Sequence, residues 1–187
     1  MAGHHHGHVI QAQPTTNPLV RFLSRTPETQ AVYVSGIELC MYLKVTYESH
    51  NGEKAFAGDR VVPKDTEKSG TFTAVGVDTG KVIWKRDMPT PMDGGATASA
   101  GGLVFTGDQQ GILYAFDAAN GDDLWQADLK LAFGTAPVIY SIEGTQYVLA
   151  TVGGAALTAS EELGEIGAKV VAFKLGGKKL PAGPPLK

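Results

Sequence analysis

The strongest constraint on this 187-residue chain is that part of it is written twice. The stretch Tyr114-Ala115-Phe116-Asp117-Ala118-Ala119-Asn120-Gly121-Asp122-Asp123-Leu124-Trp125 lies over Thr73-Ala74-Val75-Gly76-Val77-Asp78-Thr79-Gly80-Lys81-Val82-Ile83-Trp84 at a constant offset of 41 residues. Ala74 meets Ala115, Gly80 meets Gly121 and Trp84 meets Trp125, and each copy reads as a strand, a tight turn with Asp or Asn ahead of Gly, and a second strand. A unit this short cannot bury an apolar face alone, so successive copies must stack on one another.

The neighbouring segments complete the unit. Gly95-Ala96-Thr97-Ala98-Ser99, a Gly101-Gly102 turn and Leu103-Val104-Phe105-Thr106-Gly107 supply two strands ahead of the second hairpin. Four strands in about forty residues is the size of one propeller blade. The order restarts at Gly134-Thr135-Ala136-Pro137-Val138-Ile139, turns at Glu143-Gly144, runs through Gln146 to Val152 and resumes at Lys169 to Lys174. A loop from Gly153 to Gly167 interrupts that blade. Ahead of the first hairpin, Ala31-Val32-Tyr33-Val34-Ser35 reads as a strand, followed by a long polar insertion from about Thr46 to Ser69.

The expected fold class is therefore all-β, a partial β-propeller of about three four-stranded blades with tryptophan-docking repeats. Closed propellers have typically about 4 to 8 blades, so three leave open sheet edges that call for further blades or self-association. Residues 1–13, with His4, His5, His6 and His8, read as a tag-like or disordered start. The propeller domain is expected over 14–175, and a disordered tail with three prolines over 176–187.

Composition narrows the function classes. Sixteen basic against nineteen acidic residues give a formal charge of −3 with no basic stripe, which argues against a nucleic-acid partner. One cysteine, Cys40, excludes an internal disulfide, and its apolar strand predicts a buried, inert thiol. No stretch approaches the roughly 20 apolar residues of a membrane span, and the start lacks the pattern of a signal peptide. Gly76-Val77-Asp78-Thr79-Gly80-Lys81-Val82 only mimics a phosphate loop. It is one residue short between the glycines and has no Ser or Thr after the lysine.

Fixed spacing predicts that Trp84 and Trp125 are packing wedges between adjacent blades, because every blade needs the same one. Asp78, Asp117 and Asn120 stand where a turn wants a short side chain bonded to its own backbone.

The hairpin pattern of Ala115, Asp117, Gly121 and Trp125 resembles the tryptophan-docking repeat of quinoprotein alcohol dehydrogenases. Three other stretches are similar to the same family: Pro27 to Val34 followed by Cys40-Met41-Tyr42; Gly94-Gly95 followed by Thr97, Ala98 and Gly101 to Gly107; and Gln146-Tyr147-Val148 followed by Gly153-Gly154. The resemblance runs from about Pro14 to Leu175 and corresponds to the last part of such an enzyme. Gly76 departs from the repeat, which usually has Asp there.

That resemblance implies an eight-bladed propeller holding pyrroloquinoline quinone and Ca²⁺ or a lanthanide, with an Asp as base on an alcohol or sugar. The ion's ligands and the base belong to earlier blades, and no motif here matches them. The residues it places near the cofactor are Asp93 and Gly94, at the segment that usually puts a large side chain against the quinone, and Asn17, in a segment similar to the family's Thr-Asn-Trp. It further implies a periplasmic location, a cytochrome c electron acceptor for the complete enzyme and the remaining blades as partners. Two functions follow as expectations: the C-terminal propeller portion of such a dehydrogenase, closing the ring and one wall of the quinone pocket, or a non-catalytic propeller scaffold or binding module. Alone, the chain is expected to be inactive.

Overall fold

A computed structural model describes residues 9–10, 21–26, 29–50, 53–63, 65–153 and 167–177. The expectations placed on the histidines at the start, on Asn17, on residues 154–166 and on the chain beyond Gly177 lie outside them. The described residues form fourteen strands and no helix. In chain order these are β1 (Val9–Ile10), β2 (Arg21–Thr26), β3 (Ala31–Leu39), β4 (Tyr42–His50), β5 (Glu53–Val61), β6 (Lys68–Gly76) and β7 (Val82–Met88). They continue as β8 (Thr97–Ala98), β9 (Leu103–Gly107), β10 (Ile112–Asp117), β11 (Asp123–Asp128), β12 (Val138–Ile142), β13 (Thr145–Gly153) and β14 (Ala168–Lys174).

Two compact units contain them. The larger, Pro18–Glu38 with Ser69–Lys187, holds three sheets: β2-β3-β6-β7, β8 to β11 in sequence order, and β12-β13-β14. The first two are four-stranded blades, and the third has three strands among the described residues. The fold is a partial β-propeller, as the repeat requires.

The smaller unit, Met1–Asn17 with Leu39–Lys68, contains the sheet β1-β4-β5. Here the expected polar insertion is an antiparallel hairpin, paired without a break from Tyr42↔Val61 to His50↔Glu53. Val9 and Ile10, within the stretch expected to be tag-like, pair with Lys44 and Leu43.

Blade packing follows from strand alternation. In β10, Ile112, Tyr114 and Phe116 join a core with Tyr33, Phe72, Trp84 and Met88 of the first blade. Leu113 faces the opposite way, into a cluster with Leu131, Phe133, Ala150 and Val152, and Ala115 joins Phe105 and Val148. A strand covered on both faces needs a continuous apolar run, which is why Ile112 to Phe116 contains no charge. The β12–β13 hairpin turns at Glu143 and Gly144, both with positive φ (49° and 76°), and Ile142 pairs with Thr145. These are the signs of a two-residue turn matched to strand twist.

Candidate functional site

The repeat builds one complete joint between blades. Trp84 on β7 is 8% exposed and donates its indole N–H to the carbonyl of Ala118, 3.1 Å away, in the second blade's turn. Its ring lies against Gly121, where an added Cβ would come 2.7 Å from the indole. Gly121 is thus required twice, by this contact and by its φ of +77°. Tyr33 donates to the same Ala118 carbonyl at 2.9 Å, and its ring packs beside Trp84 at 5.8 Å.

The second docking tryptophan differs from its expected role. Trp125 is 40% exposed and meets Phe173 edge-on at 5.3 Å, so it is a half-covered rim residue and not a buried wedge. The second blade's turn behaves as read, whereas in the first the turn bond expected of Asp78 is made by Thr79. Asp117 Oδ1 accepts the amides of Ala119 and Asn120 at 2.8 and 3.2 Å. Gly76 has no carboxylate to offer, yet Gly80 N–H still reaches its carbonyl at 2.8 Å, and Thr79 Oγ1 caps the turn through Lys81 N–H. Cys40 is exposed, contrary to the buried thiol expected from its apolar neighbours, because it falls outside the strands, between β3 and β4.

With the first two blades joined, the connection between β7 and β8 is drawn into the interior, and Thr90, Met92, Asp93 and Ala96 are all buried. Four consecutive residues at the end of β9 hold it. Thr106 Oγ1 donates to the Gly94 carbonyl at 3.5 Å and also lies 3.0 Å from Ser35 Oγ of the first blade. Gly107 accepts Gly94 N–H at 3.1 Å, and Gln109 N–H donates to the Pro91 carbonyl at 3.0 Å. Asp108 Oδ2 accepts the Thr90 hydroxyl at 2.7 Å.

Asp108, 1% exposed, is the most heavily bonded side chain of this region. Its Oδ2 also accepts Tyr114 O–H at 2.9 Å and its Oδ1 accepts Ile112 N–H at 2.8 Å. Its carbonyl receives Phe133 N–H at 3.0 Å from the connection that leads into the third blade. Burial raises the carboxyl above its ordinary range, while the bonds from Ile112, Thr90 and Tyr114 pull it part of the way back. Burial and the neighbouring Asp108 charge likewise raise the Tyr114 phenol. Sequence reading passed over Asp108. Its one visible mark is an acidic residue directly after the apolar strand Leu103 to Gly107.

Of the residues named from the sequence, Asp93 and Gly94 stand together in this connection and Asn17 lies outside the described residues. Asp93 is 0% exposed. A Cβ on Gly94 would meet the Gly107 carbonyl oxygen at 2.5 Å and Phe133 Cβ at 3.0 Å, so its open side is filled by the protein. Tested against a flat quinone, these two residues offer an enclosed turn and no free face. They do not fit the group as direct contacts, and no chemical step is derived through it. Among the described residues no cluster of three or more His, Cys, Asp or Glu could hold a metal ion.

The blade joint and the stacked four-stranded sheets define the class as β-propeller repeat proteins. The chain belongs to the family described as outer membrane protein assembly factor BamB, whose sequence profile matches residues 68–166, more than half of it. Among curated relatives, the quinohemoprotein alcohol dehydrogenase ADH IIB of Pseudomonas putida is 35% identical over 141 residues, covering 72% of this chain and 20% of its own length. The 1-butanol dehydrogenase (cytochrome c) of Thauera butanivorans is 38% identical over 108 residues, 54% of this chain and 15% of the relative. This recognises the chain as similar to part of a quinoprotein alcohol dehydrogenase, and it spans about a fifth or less of the length of these two relatives. Among solved structures, the quinohemoprotein alcohol dehydrogenase of Comamonas testosteroni matches with a TM-score of 0.63 and 26% identity, over 89% of this chain and 27% of that one. ADHIIG of Pseudomonas putida HK5 shares the fold with a TM-score of 0.70 at 24% identity, over 89% of this chain and 28% of that one.

Proposed function

We propose that the chain supplies closing blades of a dehydrogenase that oxidises alcohols with pyrroloquinoline quinone. The observation that supports this most is the Trp84–Gly121 joint, a blade-stacking device, in a chain whose curated relatives are quinoprotein and quinohemoprotein alcohol dehydrogenases. In this reading the base and the ligands of a Ca²⁺ or lanthanide ion lie in blades outside this sequence. The enclosed turn of Asp93 and Gly94 shapes the pocket wall from behind, with Asn17 proposed near the cofactor from the sequence alone. Sugars as substrates, a periplasmic site of action and a cytochrome c electron acceptor belong to the same proposal. The domain limits 14–175, with a tag-like start over 1–13 and a tail over 176–187, are carried as part of it.

A second reading is favoured by one observation, the match to an outer membrane protein assembly factor: a propeller scaffold that binds partners and catalyses nothing. Dye reduction separates the two. The purified chain is incubated with pyrroloquinoline quinone, Ca²⁺ and ethanol, alone and with a longer polypeptide that adds the preceding blades. Turnover by the longer polypeptide and none by the chain alone is expected. No turnover and no quinone binding by the longer polypeptide would leave the scaffold reading.

A further inference from the structure

We propose that Asp108 is a positioning residue: its carboxylate clamps the connection between the first two blades, and through Thr90 it fixes where Asp93 and Gly94 stand. Most of the bonds that place the turn come from one strand end, beside a single bond from Met92 N–H to the Gly36 carbonyl of β3 at 3.4 Å. Gly107 takes the Gly94 amide at 3.1 Å, Asp108 takes the Thr90 hydroxyl at 2.7 Å and Gln109 gives its amide to Pro91 at 3.0 Å. Two of these three bonds use backbone that any sequence would have. The Asp108–Thr90 bond alone depends on side-chain identity at both ends, and both residues are buried (1% and 8% exposed).

The carboxylate is itself anchored independently of the turn. Ile112 N–H holds Oδ1 at 2.8 Å and Tyr114 O–H shares Oδ2 at 2.9 Å, both from β10 in the middle of the second blade. The Asp108 carbonyl receives Phe133 N–H at 3.0 Å, which ties the same residue to the entry of the third blade. Phe133 in turn fills the space beside Gly107, where an added Cβ would come 2.2 Å from its ring. One residue therefore links the turn to a strand buried on both faces and to the next connection. A buried bond to a charged acceptor is stronger than a neutral one, which suits a fixed point.

The relevance of this clamp to a quinone wall rests on the proposed function, but the clamp does not. Native-state hydrogen exchange on the whole chain tests it, read at the Gly94 and Gln109 amides and compared with Leu113 and Val148 in the blade interiors. Thr90→Val removes the hydroxyl and keeps the shape. It should speed exchange at Gly94 and Gln109 by about tenfold while Leu113 and Val148 stay within about twofold, the scale of one lost bond to a charged group. Thr90→Ser should restore the slow rates. Tyr114→Phe, which removes one of the two anchors on the carboxylate while Ile112 N–H still holds Oδ1, should speed the two turn amides by less than Thr90→Val does.

Equal acceleration at all four amides in Thr90→Val, no acceleration at the turn, or failure of Thr90→Ser to restore it would overturn the clamp. Should Thr90→Val not fold, the wild type still decides: Gly94 and Gln109 must open with one common free energy, and unrelated values would overturn the proposal. Adding pyrroloquinoline quinone with Ca²⁺ to a polypeptide that carries the preceding blades tests the other reading separately. Protection of the turn supports the proposed function, and absence of protection there counts against that function alone.

Discussion

Trp84 and Gly121, on different blades, occupy each other's space: the indole fills the volume a side chain on Gly121 would need, with 2.7 Å left for a Cβ. The conformation of one turn and the packing of one sheet on the next are therefore fixed by a single pair. Trp84→Ala is expected to cost about 3 to 5 kcal/mol, as a buried large-to-small change. Trp125→Ala should cost clearly less, since that ring is already half in water. Urea titrations of the two variants check this, and equal losses would show that Trp125 is covered in solution.

Gly121→Ala is expected to unfold the chain or to lower its stability by more than about 1 kcal/mol, because a methyl group there meets both a positive φ and the indole. Gly80→Ala makes the contrast. Its φ is +63°, yet no atom lies within 4 Å of an added Cβ, so only the backbone cost applies. The difference between the two variants in thermal unfolding measures the steric part of the joint, and no difference would mean that the ring does not press on Gly121.

Burial sets the sign of the pH dependence at Asp108. Its carboxyl is raised in the folded state above the unfolded value of about 3.9, so the native protein binds the proton more tightly. The corresponding stability is fully present below that unfolded value and is lost as pH rises through the folded one. Asp108→Asn, which cannot ionise, should lack this component. The stability of the wild type relative to Asp108→Asn should fall as pH is raised from the acid side towards neutrality, and a gap that widens with pH would contradict the assignment.

Cys40 is exposed, so a thiol reagent should label the native chain to one equivalent without denaturant and leave the melting temperature unchanged. Slow labelling that speeds only on unfolding would restore the buried thiol suggested by its apolar neighbours.

The propeller was legible because its evidence is periodic: a 41-residue offset brings Ala, Gly and Trp onto their counterparts, and only a stacked blade explains all three. What lay beyond it was decided by neighbours and not by the local pattern. Trp84 and Trp125 share one motif, but their burial depends on the blade next door, and among the described residues only Trp84 receives a glycine turn over its ring. The inserted hairpin carried a readable signal in Asn51-Gly52, a favoured two-residue turn, set between β4 and β5. Asp108 left almost none. Its side-chain partners stand 18 and 6 residues away, and no spacing rule connects Thr90 to a strand end in another blade.

Strand β10, buried on both faces, makes the middle blade dependent on both of its neighbours. A stack in which each layer is held only by the adjacent ones loses order from its ends inward. Here the third blade, with Val138 and Val170 exposed, has one covered face to hold it, and the second has two. Under rising denaturant or mechanical load, β12 to β14 should peel away first. The stub left behind would expose Leu113 and Phe105, a sticky surface whose capture of another such stub offers a route to aggregates that begins at the third blade and not at the repeat.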